Sequence, residues 1–95
     1  MKRAAKVDAN HNEIVNGLRQ CPGVTVHPTG AVAKGFPDIC VGLRGRTYLF
    51  EIKDGSKVPS AQKLTKDQEI WHGNWTGHVA IIRSLDDALY HLGFL

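Results

Sequence analysis

The chain has 95 residues, 42% of them hydrophobic and 22% charged, with ten glycines and four prolines. That length allows one modest core and excludes a second domain, so a single domain over 1–95 is expected, and the lack of any long polar or low-complexity tract excludes a disordered chain. The formal net charge of +3 fits an anionic partner such as nucleic acid without requiring one.

Asp8 is placed to cap a first helix over Ala9–Gln20, whose apolar residues Ile14, Val15 and Leu18 share a face and which must stop near Cys21-Pro22-Gly23. Val24–His27 is a short β-branched run. Pro28–Pro37 follows as a loop broken by glycine and proline and carrying Lys34. From Asp38 to Leu43 the residues alternate, with Ile39, Val41 and Leu43 on one side and Asp38, Cys40 and Gly42 on the other. After a tight Arg44-Gly45-Arg46 turn, Tyr48, Phe50 and Ile52 continue the apolar face and Thr47, Leu49, Glu51 and Lys53 oppose it. This pattern predicts a hairpin with one buried face.

Asp54–Lys63 reads as a polar loop, and Thr65-Lys66-Asp67-Gln68 matches a capping box opening a second helix that carries Ile70, Trp71 and Trp75 and ends near Gly77. Trp71 and Trp75, four apart, suit core or interface packing better than base stacking. His78–Arg83 is a strand, and Ser84 caps a last helix with Leu85, Ala88, Leu89 and Leu92. The expected order is α-β-β-β-α-β-α.

A hairpin turning about Gly45 pairs residues whose numbers sum to about 90, so Asp38 lies opposite the segment from Glu51 to Lys53. Two carboxylates brought together repel one another, and shared protonation or a cation between them relieves the conflict. Hard divalent ions such as Mg²⁺ prefer oxygen ligands and keep several waters. Glu51 and Lys53 are two apart on one strand face, so an ammonium stands beside the carboxylates, where it can orient a water or neutralise charge on a phosphate. An ordinary ion pair on a solvated face is the bland alternative.

Pro37-Asp38 followed by Glu51-Ile52-Lys53 across a hairpin resembles the PD-(D/E)XK nuclease superfamily. GFPD, GRTYLFEIKDGSK, LTKDQEIWHGNW and HVAIIRSLDDAL together resemble the virus-type replication-repair nuclease (VRR-NUC) domain in its compact, phage-encoded, stand-alone form. That resemblance implies a restriction-endonuclease-like αβββαβ core, a central mixed sheet flanked by helices, plus the C-terminal helix. It implies that Asp38 and Glu51 bind Mg²⁺ or Mn²⁺, with the Ile52 carbonyl as a backbone ligand and Lys53 beside the attacking water. It also implies an acidic residue on the first helix, best matched by Glu13 with Asp8 competing, and a site role for Gln68, whose alternative is the purely local capping box. The activity implied is a structure-specific DNA endonuclease that resolves four-way junctions as a homodimer in phage replication, recombination or repair. A monomeric flap or nicking nuclease and a catalytically idle DNA-binding module are the alternatives.

Lys34, Arg44, Arg46, Lys57, Lys63 and Lys66 come from loops and a turn expected to flank the site and to meet phosphates, and Lys2, Arg3 and Lys6 could form a basic arm. The five histidines form no spaced metal pair and are expected at the surface or in helix packing, with His27 and His72 as exceptions near DNA. Cys21 and Cys40 form no CxxC pair, which fits a reduced chain without structural zinc. No apolar run approaches the roughly 18 residues of a membrane span, and MKRAAK leads into polar DANHNE, so a cytoplasmic protein without a membrane partner is expected.

Overall fold

The computed structural model describes residues 8–95; Lys2, Arg3 and Lys6 lie outside them. The elements are α1 (His11–Arg19), β1 (Thr25–Pro28), β2 (Ile39–Leu43), β3 (Arg46–Ile52), α2 (Lys66–Asn74), β4 (Ala80–Ile82) and α3 (Leu85–His91), with a 3₁₀ turn over Pro59–Gln62. The four strands form one mixed sheet in the order β1-β2-β3-β4. The first two pairings are antiparallel and β3–β4 is parallel, joined by the crossover through α2. This is the expected α/β order.

The β2–β3 hairpin is held in register by a two-residue turn. Leu43 pairs with Arg46 and Ile39 with Phe50, and both turn residues take the left-handed conformation, Arg44 at φ 52° and Gly45 at φ 79°. Such a turn matches the right-handed twist of the flanking strands. The same register, continued by one residue, brings Asp38 opposite Glu51.

The core lies on one face of the sheet. Ile14, Val15 and Leu18 of α1 and Ala88 and Leu92 at α3 pack on Val26, Ile39, Val41, Phe50, Ile52 and Ile82. At about 25 cal/mol per Å² of apolar surface removed from water, this one-sided cluster is the main stabilising term. α2 differs, for none of its residues is buried. It is tied instead through its first turn, where Thr65 Oγ1 accepts from Gln68 N and the Gln68 side chain accepts from Thr65 N. The backbone of Gly35 packs against the Asp67 carbonyl, and the Phe36 ring meets Trp71 edge-on at 5.1 Å.

Several expectations are corrected. The first helix begins at His11, two residues later than read, with Asn10 rather than Asp8 in the capping position. The second face of β3 is covered too, since Leu49, Phe50, Glu51 and Ile52 are all buried; β3 is an inner strand, and the α2 end reaches over it. Trp71 and Trp75 stack on one another at 4.8 Å but lie outside the core, Trp75 being exposed. α2 stops at Asn74, short of Gly77. Among the described residues, no helix is long and apolar enough to cross a membrane.

Candidate active site

The carboxyl ends of β3 and β4, the start of β2 and the entry to α1 meet at one end of the sheet. There, a cleft of about 380 Å³ is lined by Asp8, Asp38, Glu51, Ile52, Lys53, Lys57, Lys63 and Gln68, among others. β3 brings in Glu51 and Lys53 on the side opposite the core, because Phe50 and Ile52 take the core side.

Asp38 stands where β2 begins, and its Oδ2 accepts a 2.8 Å hydrogen bond from Ile52 N. Its carboxylate thus does the ladder's work at the end of the hairpin. In extended backbone the N–H and C=O of one residue point to the same side, so the Ile52 carbonyl faces the Asp38 side as well. Pro37 and Thr29 hold the segment, with Thr29 N donating to the Asp38 carbonyl at 2.8 Å and Thr29 Oγ1 to that of Pro37 at 2.8 Å.

Glu51 is only 1% exposed and Lys53 only 7%. Gln68 joins them: its Nε2 donates to Glu51 Oε2 at 2.9 Å and its Oε1 accepts from Lys53 Nζ at 2.8 Å. The direct Lys53–Glu51 separation is 4.0 Å, so the amide, rather than a close ion pair, fixes both ends. Because Oε1 also accepts from Thr65 N, one side chain closes the capping box and bridges the two buried ionisable groups. The two jobs separated in the sequence reading coexist geometrically.

Glu51 Oε1 is buried and has no hydrogen-bond partner. Burial first, and then the Asp38 carboxyl beside it, push the Glu51 carboxyl up to about 9; Lys53 pulls the other way, and Asp8 adds a smaller push upward. Two carboxyls set face to face in this way are relieved by a shared proton or by a hard cation between them. Among the described residues no group of three or more His, Cys, Asp or Glu side chains gathers to hold an ion. Asp38, Glu51 and the Ile52 carbonyl are the oxygens that could hold such an ion, and hard ions such as Mg²⁺ keep several waters.

Around the cleft, Lys57 and Lys63 are held by a folded-back loop. Ser56 N and Oγ donate to Asp54 Oδ1 at 2.9 and 2.7 Å, which also holds the Asp54 carboxyl below its usual range. Gln62 bridges the loop to β4, donating to the Lys57 carbonyl and accepting from Arg83 Nε.

Other sequence candidates lie elsewhere. Glu13 is exposed on α1 and lines a separate depression with Asn10, Asp54 and Arg83; Asp8 lines the cleft and stands 3.9 Å from Lys57 Nζ. The late start of α1 explains the exchange, since it leaves Asp8 in the turn before the helix, its carbonyl accepting from His11 N and its side chain at the cleft. Asn10 secures that entry, with Nδ2 donating to the carbonyls of Lys53 and Arg83, each at 3.2 Å. Arg44 and Arg46 sit at the hairpin turn, about 17 Å from Glu51 at roughly 3.4 Å per residue along β3. Lys34 lines a groove with Trp71 and Trp75. Lys66 is exposed one residue beyond Thr65 and outside the cleft lining. His72 lies near Lys53; burial first and that ammonium second push its imidazole below the usual range.

No family model, curated protein or solved structure matches the chain.

Proposed function

We propose that this protein is a divalent-metal-dependent nuclease that hydrolyses DNA phosphodiester bonds, with Asp38, Glu51 and the Ile52 carbonyl holding Mg²⁺ or Mn²⁺. The observation that carries the proposal is the buried Glu51 carboxyl, one oxygen unpartnered, facing Asp38 in a cleft edged by lysines.

A bound ion supplies Lewis-acid polarisation of a phosphoryl oxygen and lowers the pKa of water at the site. Lys53, its ammonium directed by Gln68, sits beside the carboxylates to orient the attacking water and to offset charge developing on the phosphate. Gln68 positions Lys53 and Glu51 together. Lys57 and Lys63 draw the phosphate backbone to the cleft, countering the repulsion that the carboxylates exert on it. Asp8, by its ion pair with Lys57, tempers that lysine.

Junction resolution by a homodimer is the finer form of this proposal. One chain brings one such cleft, whereas a four-way junction requires two cuts, which a two-fold pair would supply. Light scattering at micromolar concentration should give a dimer mass, and a monomer would favour flap or nicking activity.

Labelled four-way-junction, flap and linear duplex DNA, incubated with Mg²⁺, Mn²⁺ or EDTA, test the proposal beside an Asp38→Asn control. Metal-dependent cutting that the control loses, greatest on the junction, is expected. DNA binding without cutting in any metal would leave an idle binding module in its place.

A further inference from the structure

At the other end of the hairpin, Arg44, Arg46, Tyr48 and His91 line a recess of about 400 Å³ with apolar residues of β2 and the end of α3. Not one carboxylate lines it. Among the described residues, the ion pairs found involve Lys53 and Lys57, so neither arginine has an acidic partner. The guanidinium of Arg44, a left-handed residue of the turn, is held over the Phe94 ring, 5.7 Å from its centroid. The α3 terminus does not oppose an anion strongly, because Gly93 N and Phe94 N donate to the Tyr90 and Leu89 carbonyls and cap that end. Two guanidinium forks, an imidazole N–H and a phenol hydroxyl form a donor set with no carboxylate among them, and guanidinium geometry matches phosphate oxygens.

We infer that this recess binds a phosphate group. Its source is either a free phosphate or the backbone of a DNA arm other than the one in the cleft. Arg46 and Tyr48 project on the core side of β3 and Glu51 and Lys53 on the opposite side, with Glu51 about 17 Å along the strand from Arg46 and about 10 Å from Tyr48. The two sites thus open on opposite faces and opposite ends of the sheet, a separation that two arms of a branched DNA would suit. The DNA-arm form rests on the nuclease proposal; the phosphate site itself does not.

The test uses the intact chain, Arg46→Gln and His91→Gln. Melting temperature is followed against inorganic phosphate, and fluorescence anisotropy in EDTA and in Ca²⁺ measures affinity for four-way-junction and linear duplex DNA. Phosphate is expected to raise the melting temperature of the wild type, and less so of either variant. With a DNA arm as the source, the variants weaken junction binding about tenfold, leave linear binding within twofold, and lower the magnitude of the salt slope for the junction by about 0.9 per lost contact. A phosphate shift without any change in DNA affinity identifies a free phosphate as the ligand. Equal phosphate shifts in wild type and variants, with unchanged DNA affinity, overturn the inference even if the wild type cuts DNA. The phosphate shift in a protein that cuts nothing in any metal would sustain the recess while removing the nuclease.

Discussion

Glu51 is the residue at which folding and the proposed chemistry conflict most directly. Its carboxyl is raised from about 4.5 to about 9 by burial and by Asp38. Between those values the unfolded chain gives up the proton and the folded chain keeps it, so metal-free stability is full at acid pH and declines as pH rises through this window. Glu51→Gln cannot ionise, and its amide can still accept from Gln68 and offer N–H groups to Asp38. Its melting temperature in EDTA should exceed the wild type's by a margin that widens from pH 5 to pH 9, while Mg²⁺-induced stabilisation and DNA cleavage disappear. Gln68 permits a second separation. Thr65→Ala removes a cap worth about 1 kcal/mol but leaves the Glu51–Gln68–Lys53 bridge. Gln68→Ala removes the bridge and the reciprocal half of the box, the bond from Thr65 N, and leaves Thr65 Oγ1 accepting from the residue-68 N–H. Both variants should melt lower, and only Gln68→Ala should reduce cleavage more than about tenfold, measured under single-turnover conditions.

Two glycines with almost the same backbone conformation differ at the scale of elements. Gly45, at φ 79°, has open space around a would-be Cβ, and Gly35, at φ 76°, would drive its Cβ into the Asp67 carbonyl. Gly45→Ala should cost about 1 kcal/mol from conformation alone. Gly35→Ala should cost clearly more on denaturant titration and should also lower cleavage, because it pushes α2, and Gln68 with it, off the loop that leads to Asp38. The hairpin register and the Thr65–Gln68 box were legible in sequence because both are local: a period of two about Gly45, and a three-residue spacing of cap and amide. Asp8 was not, because Asp8 and Asn10 are both good caps and the choice between them was made by partners far along the chain, the Lys53 and Arg83 carbonyls. Arg44 and Arg46 were misplaced relative to the cleft although the hairpin itself held the answer, since its turn and its open end lie at opposite edges of the sheet. The burial of both faces of β3 was also hidden, for alternation cannot report that Gln68, from the next helix, closes over Glu51.

For the whole molecule, a net charge of +3 is too small to govern DNA binding by itself, so the placement of individual cations decides it. Lys57 and Lys63, set at the cleft, should contribute one phosphate contact each. Lys57→Ala with Lys63→Ala should reduce the steepness of log affinity against log salt by about 1.8 on linear duplex, at about 0.9 per contact. The helices also divide unequally around the sheet: α1 and α3 share the buried apolar cluster, whereas α2 buries none of its residues. Local opening free energy follows buried contact, so amide hydrogen exchange in α2 should proceed by detachment of that helix, orders of magnitude faster than in β3. Glu51 and Lys53 would then belong to a slow-exchanging strand end and the amide that bridges them to a fast-exchanging helix, and a bound divalent ion and DNA would register first as slowed exchange in Lys66–Asn74.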